Sequence, residues 1–253
     1  MKNIGIIGNG SIGQALIAEV RARDDVSLSF VLVRDRAKAI ASGLPEAVVI
    51  DDPALIEGRP LDLAIEASLP ETSAALAPSL LARADFCAFS CTALADPATE
   101  TAIRAATAAS GRRMFIPHGA VVGMDGLVDA GEIIESVTIT TTKSGKSLGL
   151  DPETSGTIFE GSAREACRRF PRNVNVHACV ALAGLGFERT LSRIVAVPGQ
   201  VENMHRIEVT GAGLAWDLRI SSRSLGGVTG SYTPKSAVGS LRRILGGRGV
   251  TAV

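Results

Sequence analysis

Three glycines near the start of the chain have the spacing of a phosphate-binding turn. The apolar run that ends at Ile7 leads into Gly8-x-Gly10-x-x-Gly13, and an amphipathic helix pattern follows at once. This order of strand, turn and helix is typical of a dinucleotide-binding unit, in which glycines let backbone N–H groups approach a pyrophosphate at the positive end of the helix. The cofactor-binding residues predicted in this turn are Gly8, Asn9, Gly10, Ser11, Ile12 and Gly13.

A further cofactor contact is predicted about 20 residues past the turn, where the second strand of such a unit meets the adenosine ribose. The charged run there is Arg34-Asp35-Arg36. Asp35 could accept a hydrogen bond from a ribose 2′-hydroxyl, which suits NAD, whereas Arg34 and Arg36 could hold the 2′-phosphate of NADP. The sequence therefore predicts NAD or NADP without choosing between them. A solvated charged turn is the alternative interpretation.

His205 is the residue best placed for proton transfer. It shares strand parity with Ile207 and Val209, so its ring is expected on an apolar, partly dehydrated face. Burial and nearby charges can move the pKa of such an imidazole across neutral pH, and one histidine can act as both base and acid. The alternative is a core histidine with satisfied hydrogen bonds. His118, at the start of a small-residue loop, and His177, in a helix-like run expected to pack in the core or an interface, are weaker candidates.

The elements that position the glycine turn alternate between strand and helix over residues 1–117. This alternation predicts an α/β fold, a doubly wound parallel sheet of the Rossmann type with ligands at the carboxyl ends of its strands. A helix is expected to open at Asp96-Pro97, with an Asp cap and a Pro in the first turn. Glu66-Ala67-Ser68 and Ser90-Cys91-Thr92-Ala93 are expected on the cofactor rim. The predicted strands are Lys2–Ile7, Val26–Leu32, Ala47–Ile50, Leu61–Ala67, Phe86–Ser90 and Arg113–Pro117.

The pattern changes after Pro117, and residues 118–228 are predicted to form an α+β domain for catalysis, substrate binding and dimerisation, with a mostly antiparallel sheet. Threonines at 138, 140 and 142 alternate with Val137, Ile139 and Thr141, as in a strand with one wet face. A last helix opens at Thr233 and is expected to stop at Gly246-Gly247, so that residues 229–253 join the first domain, 1–117. The strands predicted here are Val137–Thr142, Val195–Val197, Met204–Thr210 and Leu214–Ile220.

Composition excludes several functional classes. Lys plus Arg and Asp plus Glu are balanced at 26 each, so no basic surface is expected for nucleic acid or an anionic membrane. No apolar run reaches the ~18 residues of a membrane span, and no signal peptide precedes the first strand. The cysteines, at positions 87, 91, 167 and 179, lack a metal-binding spacing and are interpreted as buried thiols of a cytoplasmic protein without a metal site.

Three segments of the second half resemble the L-aspartate dehydrogenase family. They are Pro117–Asp125, the run from Phe159 through Ala166 and on from Phe170 to Val176, and Glu202–Ile207. With the glycine turn and Ser90–Asp96, the similarity extends in order over nearly the whole chain. The sequence departs from the family's usual pattern at three places, which are His118, Thr233 and the loop Lys143–Thr157.

The resemblance implies an enzyme that uses NAD or NADP to interconvert L-aspartate with iminosuccinate, or with oxaloacetate and ammonia, by hydride transfer. By position, His205 corresponds to the family's catalytic histidine, while Ala120 and Asn175 correspond to residues that contact the cofactor near its nicotinamide. The alternative for Asn175 is a helix cap. Two other functions stay open: a non-catalytic NADP-binding redox sensor, and a related imine or 2-oxo-acid reductase.

A dicarboxylate substrate needs cations or N–H groups to bind it. The predicted substrate contacts are Asn173, Lys235 and Ser236, and Lys143 and Arg164 are further candidate cations. Lys235 is preferred because Ser236 and a helix N-terminus lie beside it, although a solvated lysine is an equal alternative. We also predict a homodimer formed through the sheet of the second domain.

Overall fold

A computed structural model of the protein describes residues 1–223 and 230–246, which form two compact units. The first unit contains residues 1–93 and 98–117 together with the C-terminal segment from Pro234 onward, and the second contains residues 94–97 and 118–233. Residues 224–229 and 247–253 lie outside the described part of the chain. The predicted helix stop at Gly247 and the ends of the predicted segments 118–228 and 229–253 fall there.

The first unit is a six-stranded parallel sheet with helices between its strands. The strand order is β3-β2-β1-β4-β5-β6. The chain therefore adds β2 and β3 on one side of β1 and then β4, β5 and β6 on the other side, which confirms the predicted Rossmann-type sheet. Its elements are β1 (Lys2–Ile7), α1 (Ser11–Arg21), β2 (Val26–Leu32), α2 (Arg36–Ala41), β3 (Val49–Ile50), β4 (Leu63–Glu66), α3 (Pro70–Leu80), β5 (Asp85–Ala88), α4 (Pro97–Ser110), β6 (Met114–Phe115) and α10 (Thr233–Leu245).

The core of this unit explains why these residues form these elements. Ile4 and Ile6 of β1 are fully buried, and α1 packs beside them through Leu16 and Val20, as its four-residue repeat predicts. Helix α10 contributes Ala237 and Leu241 to the same core. Helix α4 begins at Pro97, where the Asp-Pro pair predicted a helix start.

The two edge strands of the first sheet are shorter than the sequence predicts. The predicted strand Ala47–Ile50 begins as a 3₁₀ turn at Glu46–Val48, so that β3 has only two residues. The predicted strand Arg113–Pro117 pairs only at Met114 and Phe115. An edge strand has one neighbour to pair with, so an apolar run there need not be hydrogen-bonded along its full length.

The second unit is a five-stranded mixed sheet with helices against one face. The strand order is β11-β10-β7-β9-β8, in which β7 and β9 are parallel and the other neighbours are antiparallel, as predicted for a mostly antiparallel sheet. Its elements are α5 (Met124–Ala130), β7 (Ile134–Lys143), α6 (Gly145–Leu148), β8 (Gly156–Ser162), α7 (Ala163–Arg169), α8 (Asn175–Ala183), α9 (Gly186–Arg189), β9 (Thr190–Ala196), β10 (Glu202–Gly211) and β11 (Leu214–Arg223).

Alternation along β7 separates a buried face of this sheet from a polar one. Val137, Ile139 and Thr141 are buried, and the threonines between them are half-buried on the opposite face, which confirms the pattern read from the sequence. The buried face continues onto β10, where Ile207 pairs with Ile139, and it is covered by α5 and α8. His205 lies on this same face.

Strand β8 was not predicted. Two glycines lie in it, Gly156 and Gly161, and only Phe159 is buried, so neither propensity nor alternation marks it as a strand. Its backbone pairs antiparallel with β9, which itself begins at Thr190, earlier than the predicted start at Val195. The helix that follows begins with a reciprocal cap, in which Ser162 and Glu165 bond to each other's backbone N–H.

Candidate active site

The glycine turn after β1 has the geometry of a phosphate cradle. Gly8 has a φ of +105°, and a Cβ there would lie 2.5 Å from the Ala67 carbonyl oxygen. A Cβ on Gly13 would lie 2.2 Å from the Gly8 carbonyl oxygen, so only glycine lets α1 pack this closely. By contrast, a Cβ on Gly10 would meet nothing within 4 Å.

Gly10 is the N-cap residue of α1, and no side chain caps this helix end. The N–H groups of the first turn are therefore available to an anion, and the space beside Gly10 admits one. These residues fit the pyrophosphate of a dinucleotide, as the spacing predicts.

The three charged residues after β2 differ in whether their side chains already have partners within the fold. Asp35 caps α2 by accepting a hydrogen bond of 2.9 Å from the Lys38 N–H. The guanidinium of Arg36 forms an ion pair of 2.8 Å with Glu46. Arg34 is exposed and has no hydrogen bond or ion pair to the described residues. Of the two arginines, Arg34 is thus the one whose guanidinium is not engaged elsewhere in the unit.

Glu66 connects the carboxyl ends of β4 and β5. Its carboxylate accepts hydrogen bonds from the backbone N–H groups of Ser68 (2.6 Å) and Ser90 (3.0 Å) and from the hydroxyls of Ser68, Ser73 and Ser90. Complete burial raises the pKa of Glu66, and these donors oppose that shift. The side chain therefore fixes the two strand ends that were predicted to lie on the cofactor rim.

The two predicted substrate contacts of α10 belong to the first unit. Lys235 is exposed in the first turn of the helix, whereas Ser236 is buried. Their assignment as substrate contacts stays a prediction.

In the second unit, His205 lies in a chain of buried polar side chains. Its Nδ1 atom is 2.9 Å from the Thr141 hydroxyl, which pairs with it across β7 and β10. The same hydroxyl is 2.6 Å from Nε2 of His177 on α8, and the other ring nitrogen of His177 bonds to the Ser192 hydroxyl on β9. All four side chains are at most 5% exposed.

Lys143 lies at the end of the same face, two residues after Thr141 on β7. It is only 3% exposed, and its Nζ donates to Oδ1 of Asn173 over 3.4 Å. Burial lowers the pKa of Lys143 to about 8. Burial, and then the positive charge of Lys143, lower the pKa of His205 to about 3. The pKa of His177 is also far below its usual value, mainly because of burial. Both imidazoles are therefore neutral near pH 7.

Four other predicted residues belong to the second unit, and one of them, Asn173, contacts this group through Lys143. Asn173 and Asn175 flank the start of α8, whose N-cap residue is Val174. Ala120 lies in the loop before α5 and packs against the core of the sheet. Arg164 bonds to Glu188 and to the Ala95 carbonyl oxygen, 2.7 Å away, so its guanidinium is engaged in holding the fold.

The chain is similar to known proteins over nearly its whole length. Residues 125–244 match the family model described as aspartate dehydrogenase, C-terminal, and residues 8–117 match that of the homoserine dehydrogenase NAD binding domain. L-aspartate dehydrogenase 1 of Bordetella pertussis is 32% identical over 260 residues, which cover 99% of this chain and 97% of that protein. The chain belongs to the L-aspartate dehydrogenase family.

Other members of the L-aspartate dehydrogenase family show the same relationship. The enzyme of Nitrosopumilus maritimus is 30% identical over 83% of this chain and 84% of its own. The crystal structure of aspartate dehydrogenase from Thermotoga maritima superposes with a TM-score of 0.78 at 26% identity and covers 100% of both chains. The protein is an NAD(P)-dependent amino-acid dehydrogenase, acts on a small molecule and uses NAD or NADP as its cofactor.

Some of the buried polar side chains around His205 could not be predicted from the sequence. Thr141 and Ser192 carried no signal of their own, because a buried hydroxyl resembles any other small strand residue. The position of Lys143 was readable, since it continues the buried parity of Val137, Ile139 and Thr141 beyond the predicted strand end at Thr142. His177 was correctly expected in the core, but its link to His205 depends on how α8 lies over the sheet.

Among residues 1–223 and 230–246, no group of three or more His, Cys, Asp or Glu side chains could hold a metal ion. None of the helices in those ranges has the length and apolarity needed to cross a membrane.

Proposed function

We propose that this protein catalyses the reversible NAD(P)-dependent oxidation of L-aspartate to iminosuccinate, which water converts to oxaloacetate and ammonia. The observation that carries the proposal is that one sheet face presents two buried groups, the imidazole of His205, which pairs with Thr141, and the ammonium group of Lys143, two residues further along β7. A proton carrier beside a cation suits an amino acid with an additional carboxylate.

His205 is proposed as the general acid and base. A neutral imidazole can take a proton from the substrate amine or from the water that attacks the imine, and can return it to the leaving amine. The low pKa of the ring belongs to a site without a bound anion. A dicarboxylate beside Lys143 would offset the positive charge and raise the pKa of His205, which moves it toward the range useful for proton transfer.

Lys143 is proposed to bind a carboxylate of the substrate, with the amide of Asn173 beside it. A buried ammonium without a carboxylate partner is unfavourable, and an incoming carboxylate would supply that partner. The oxygen of the Asn173 amide faces Lys143, so its NH₂ group is the part available to a carboxylate. This assignment favours Lys143 over Lys235, which is exposed in the other unit.

The cofactor, when bound, accepts or supplies the hydride. The backbone of the glycine turn at residues 8–13 would hold its pyrophosphate, and Asp35 or Arg34 its adenosine ribose. The family resemblance assigns Ala120 and Asn175 to the nicotinamide end, and an amide matches the donor and acceptor pattern of a carboxamide. These residue roles are part of the proposal.

Purified protein tests the reaction directly. We expect oxidation of NADH or NADPH when oxaloacetate and ammonia are present together, and none with either alone. Absence of oxidation from pH 7 to 10 with both cofactors would contradict the proposal and favour a redox sensor. Turnover with other 2-oxo acids but not oxaloacetate would favour a related reductase.

Two features of the protein in the cell are proposed from the sequence. One is a homodimer through the second sheet, whose polar face carries ion pairs such as Arg206–Asp217. Light scattering coupled to gel filtration tests it, and a monomer at micromolar concentration would contradict it. The other is a cytoplasmic location, proposed because all four cysteines are buried thiols, as is usual in a reducing compartment.

A further inference from the structure

The buried chain that ends at His205 contains a fixed number of hydrogens, and their count restricts the tautomer of the ring. The chain runs from the Ser192 hydroxyl to Nδ1 of His177, from Nε2 of His177 to the Thr141 hydroxyl over 2.6 Å, and from that hydroxyl to Nδ1 of His205 over 2.9 Å. Each neutral imidazole has one N–H and one lone pair, and each hydroxyl has one hydrogen to donate.

Within the described part of the chain, the Thr141 and Ser192 hydroxyls have no other partner that could accept their hydrogens. Thr141 and Ser192 make no further side-chain hydrogen bonds to residues 1–223 or 230–246, and both are completely buried. A buried hydroxyl hydrogen that lacks an acceptor is costly. The favoured arrangement is therefore the one in which both hydroxyl hydrogens are accepted within the chain.

Only one direction of the chain satisfies this condition. If Ser192 donates to Nδ1 of His177, then His177 donates from Nε2 to Thr141, and Thr141 donates to Nδ1 of His205. The proton of His205 is then on Nε2. The reverse direction puts the proton of His205 on Nδ1 and leaves the Ser192 hydrogen without an acceptor. If both rings donate to Thr141, the Thr141 hydrogen has no acceptor.

We propose that Ser192, His177 and Thr141 form a directional hydrogen-bond chain that holds His205 in the tautomer protonated at Nε2, with Thr141 and His177 as positioning residues. Nε2 of His205 has no hydrogen-bond partner among the described residues. The resting ring therefore presents an N–H donor at this edge.

The consequence for catalysis rests on the proposed function of His205. An N–H donor at Nε2 can hydrogen-bond to a substrate oxygen, such as the carbonyl of a 2-oxo acid. For Nε2 of His205 to accept a proton, the direction of the hydrogen bonds in this chain must first reverse, so that the proton of the ring is on Nδ1. The charged and titratable groups that act on the rings are Lys143 on β7, which lowers the pKa of both, and His205, which lowers the pKa of His177.

The tautomer can be measured without turnover. The chain contains three histidines, so ¹⁵N-histidine labelling and long-range ¹H–¹⁵N correlation spectra resolve each ring. Loss of one set of signals in His118→Asn, His177→Leu and His205→Asn proteins assigns them. We expect His177 and His205 both to be protonated at Nε2 in the free wild-type protein, with about a tenfold excess over the other tautomer. A proton on Nδ1 of His205 would overturn the proposal.

Thr141 variants test the link itself. Thr141→Val keeps the shape but removes the hydroxyl, and we expect its His205 signals to move to values averaged between the two tautomers. Thr141→Ser is the matched control and should keep the wild-type pattern. Identical His205 spectra in wild-type and Thr141→Val proteins, with both folded by circular dichroism, would show that Thr141 does not hold the tautomer. Because these spectra require no activity, they distinguish failure of this proposal from failure of the proposed reaction.

Discussion

The ammonium group of Lys143 is 3.4 Å from the side-chain oxygen of Asn173, and no carboxylate among residues 1–223 and 230–246 forms an ion pair with it. Because the side chain is almost fully buried, its charged form is disfavoured and its pKa falls to about 8. A pKa lower in the folded than in the unfolded state means that the unfolded chain binds more protons between pH 8 and about 10.5. The free energy of unfolding should therefore rise with pH across that window, and the full cost of burying the charged lysine is present below pH 8.

Lys143→Met should stabilise the free protein and impair substrate binding. Removing the buried charge should raise the free energy of unfolding at pH 7 by about 3 kcal/mol, and the gain should shrink to less than about 1 kcal/mol near pH 10.5, where the lysine is neutral in the folded state and half charged in the unfolded state. The KM for aspartate should rise at least about 100-fold, because a charged hydrogen-bond partner of its carboxylate is lost. Urea denaturation at the two pH values and steady-state kinetics measure these effects.

The matched control for this substitution is Lys146→Met, at an exposed position three residues further on. It removes the same charge from the chain. It should change the free energy of unfolding at either pH by no more than about 0.5 kcal/mol and should leave the KM unchanged. A Lys143→Met protein that is less stable than wild type at pH 7 would show that Lys143 holds the fold together and is not kept for substrate.

His205→Ala should abolish most of the turnover while cofactor affinity is kept. Loss of a general acid and base lowers kcat by about 10²–10⁴-fold. Fluorescence titration with NADH or NADPH should give a dissociation constant within about twofold of wild type, because the proposed pyrophosphate contacts lie in the glycine turn. Met204→Ala, on the exposed opposite face of β10, is the control and should keep its activity. Full activity in His205→Ala would remove the ring from the mechanism.

The sequence predicted the glycine turn and the face of His205 because both depend on local spacing. A Gly-x-Gly-x-x-Gly turn and the parity of a strand are read within about ten residues. The partners of His205 could not be predicted in the same way. Thr141 lies 64 residues before His205, and His177 lies between them, 36 residues after Thr141. Their approach depends on strand register and on the position of α8.

Lys143 and β8 show two other limits of the sequence. Lys143 continues a readable alternation, but a lysine at the end of an apolar strand face also suits a solvated strand end. Strand β8 is defined by backbone pairing with β9, and its glycines carry no side-chain pattern. Backbone hydrogen bonds between strands form only in the folded sheet, so they could not be predicted from the residue types of β8.

Gly13→Ala and Gly10→Ala should separate the structural glycine from the one that makes room for the cofactor. The added Cβ at position 13 would lie 2.2 Å from a backbone oxygen, which cannot move easily, and should destabilise the protein by about 3 kcal/mol. The Cβ at position 10 meets no protein atom within 4 Å, so thermal unfolding should be nearly unchanged. Binding of NADH and NADPH should nevertheless weaken at least about tenfold, because the methyl group occupies space beside the pyrophosphate. Wild-type affinity in Gly10→Ala would place the phosphates elsewhere.

Arg34→Ser should change the choice between the two cofactors. Arg36 is held by Glu46, so Arg34 is the arginine after β2 that remains to meet a 2′-phosphate. Its loss should weaken NADPH binding by about tenfold through one charge-assisted contact, and should leave NADH binding within about twofold. Arg36→Ser is the comparison: it breaks the ion pair with Glu46 and should affect both cofactors equally. Parallel titrations of the two variants with NADH and NADPH make the measurement, and equal losses for the two cofactors in Arg34→Ser would show that this side chain does not read the 2′-phosphate.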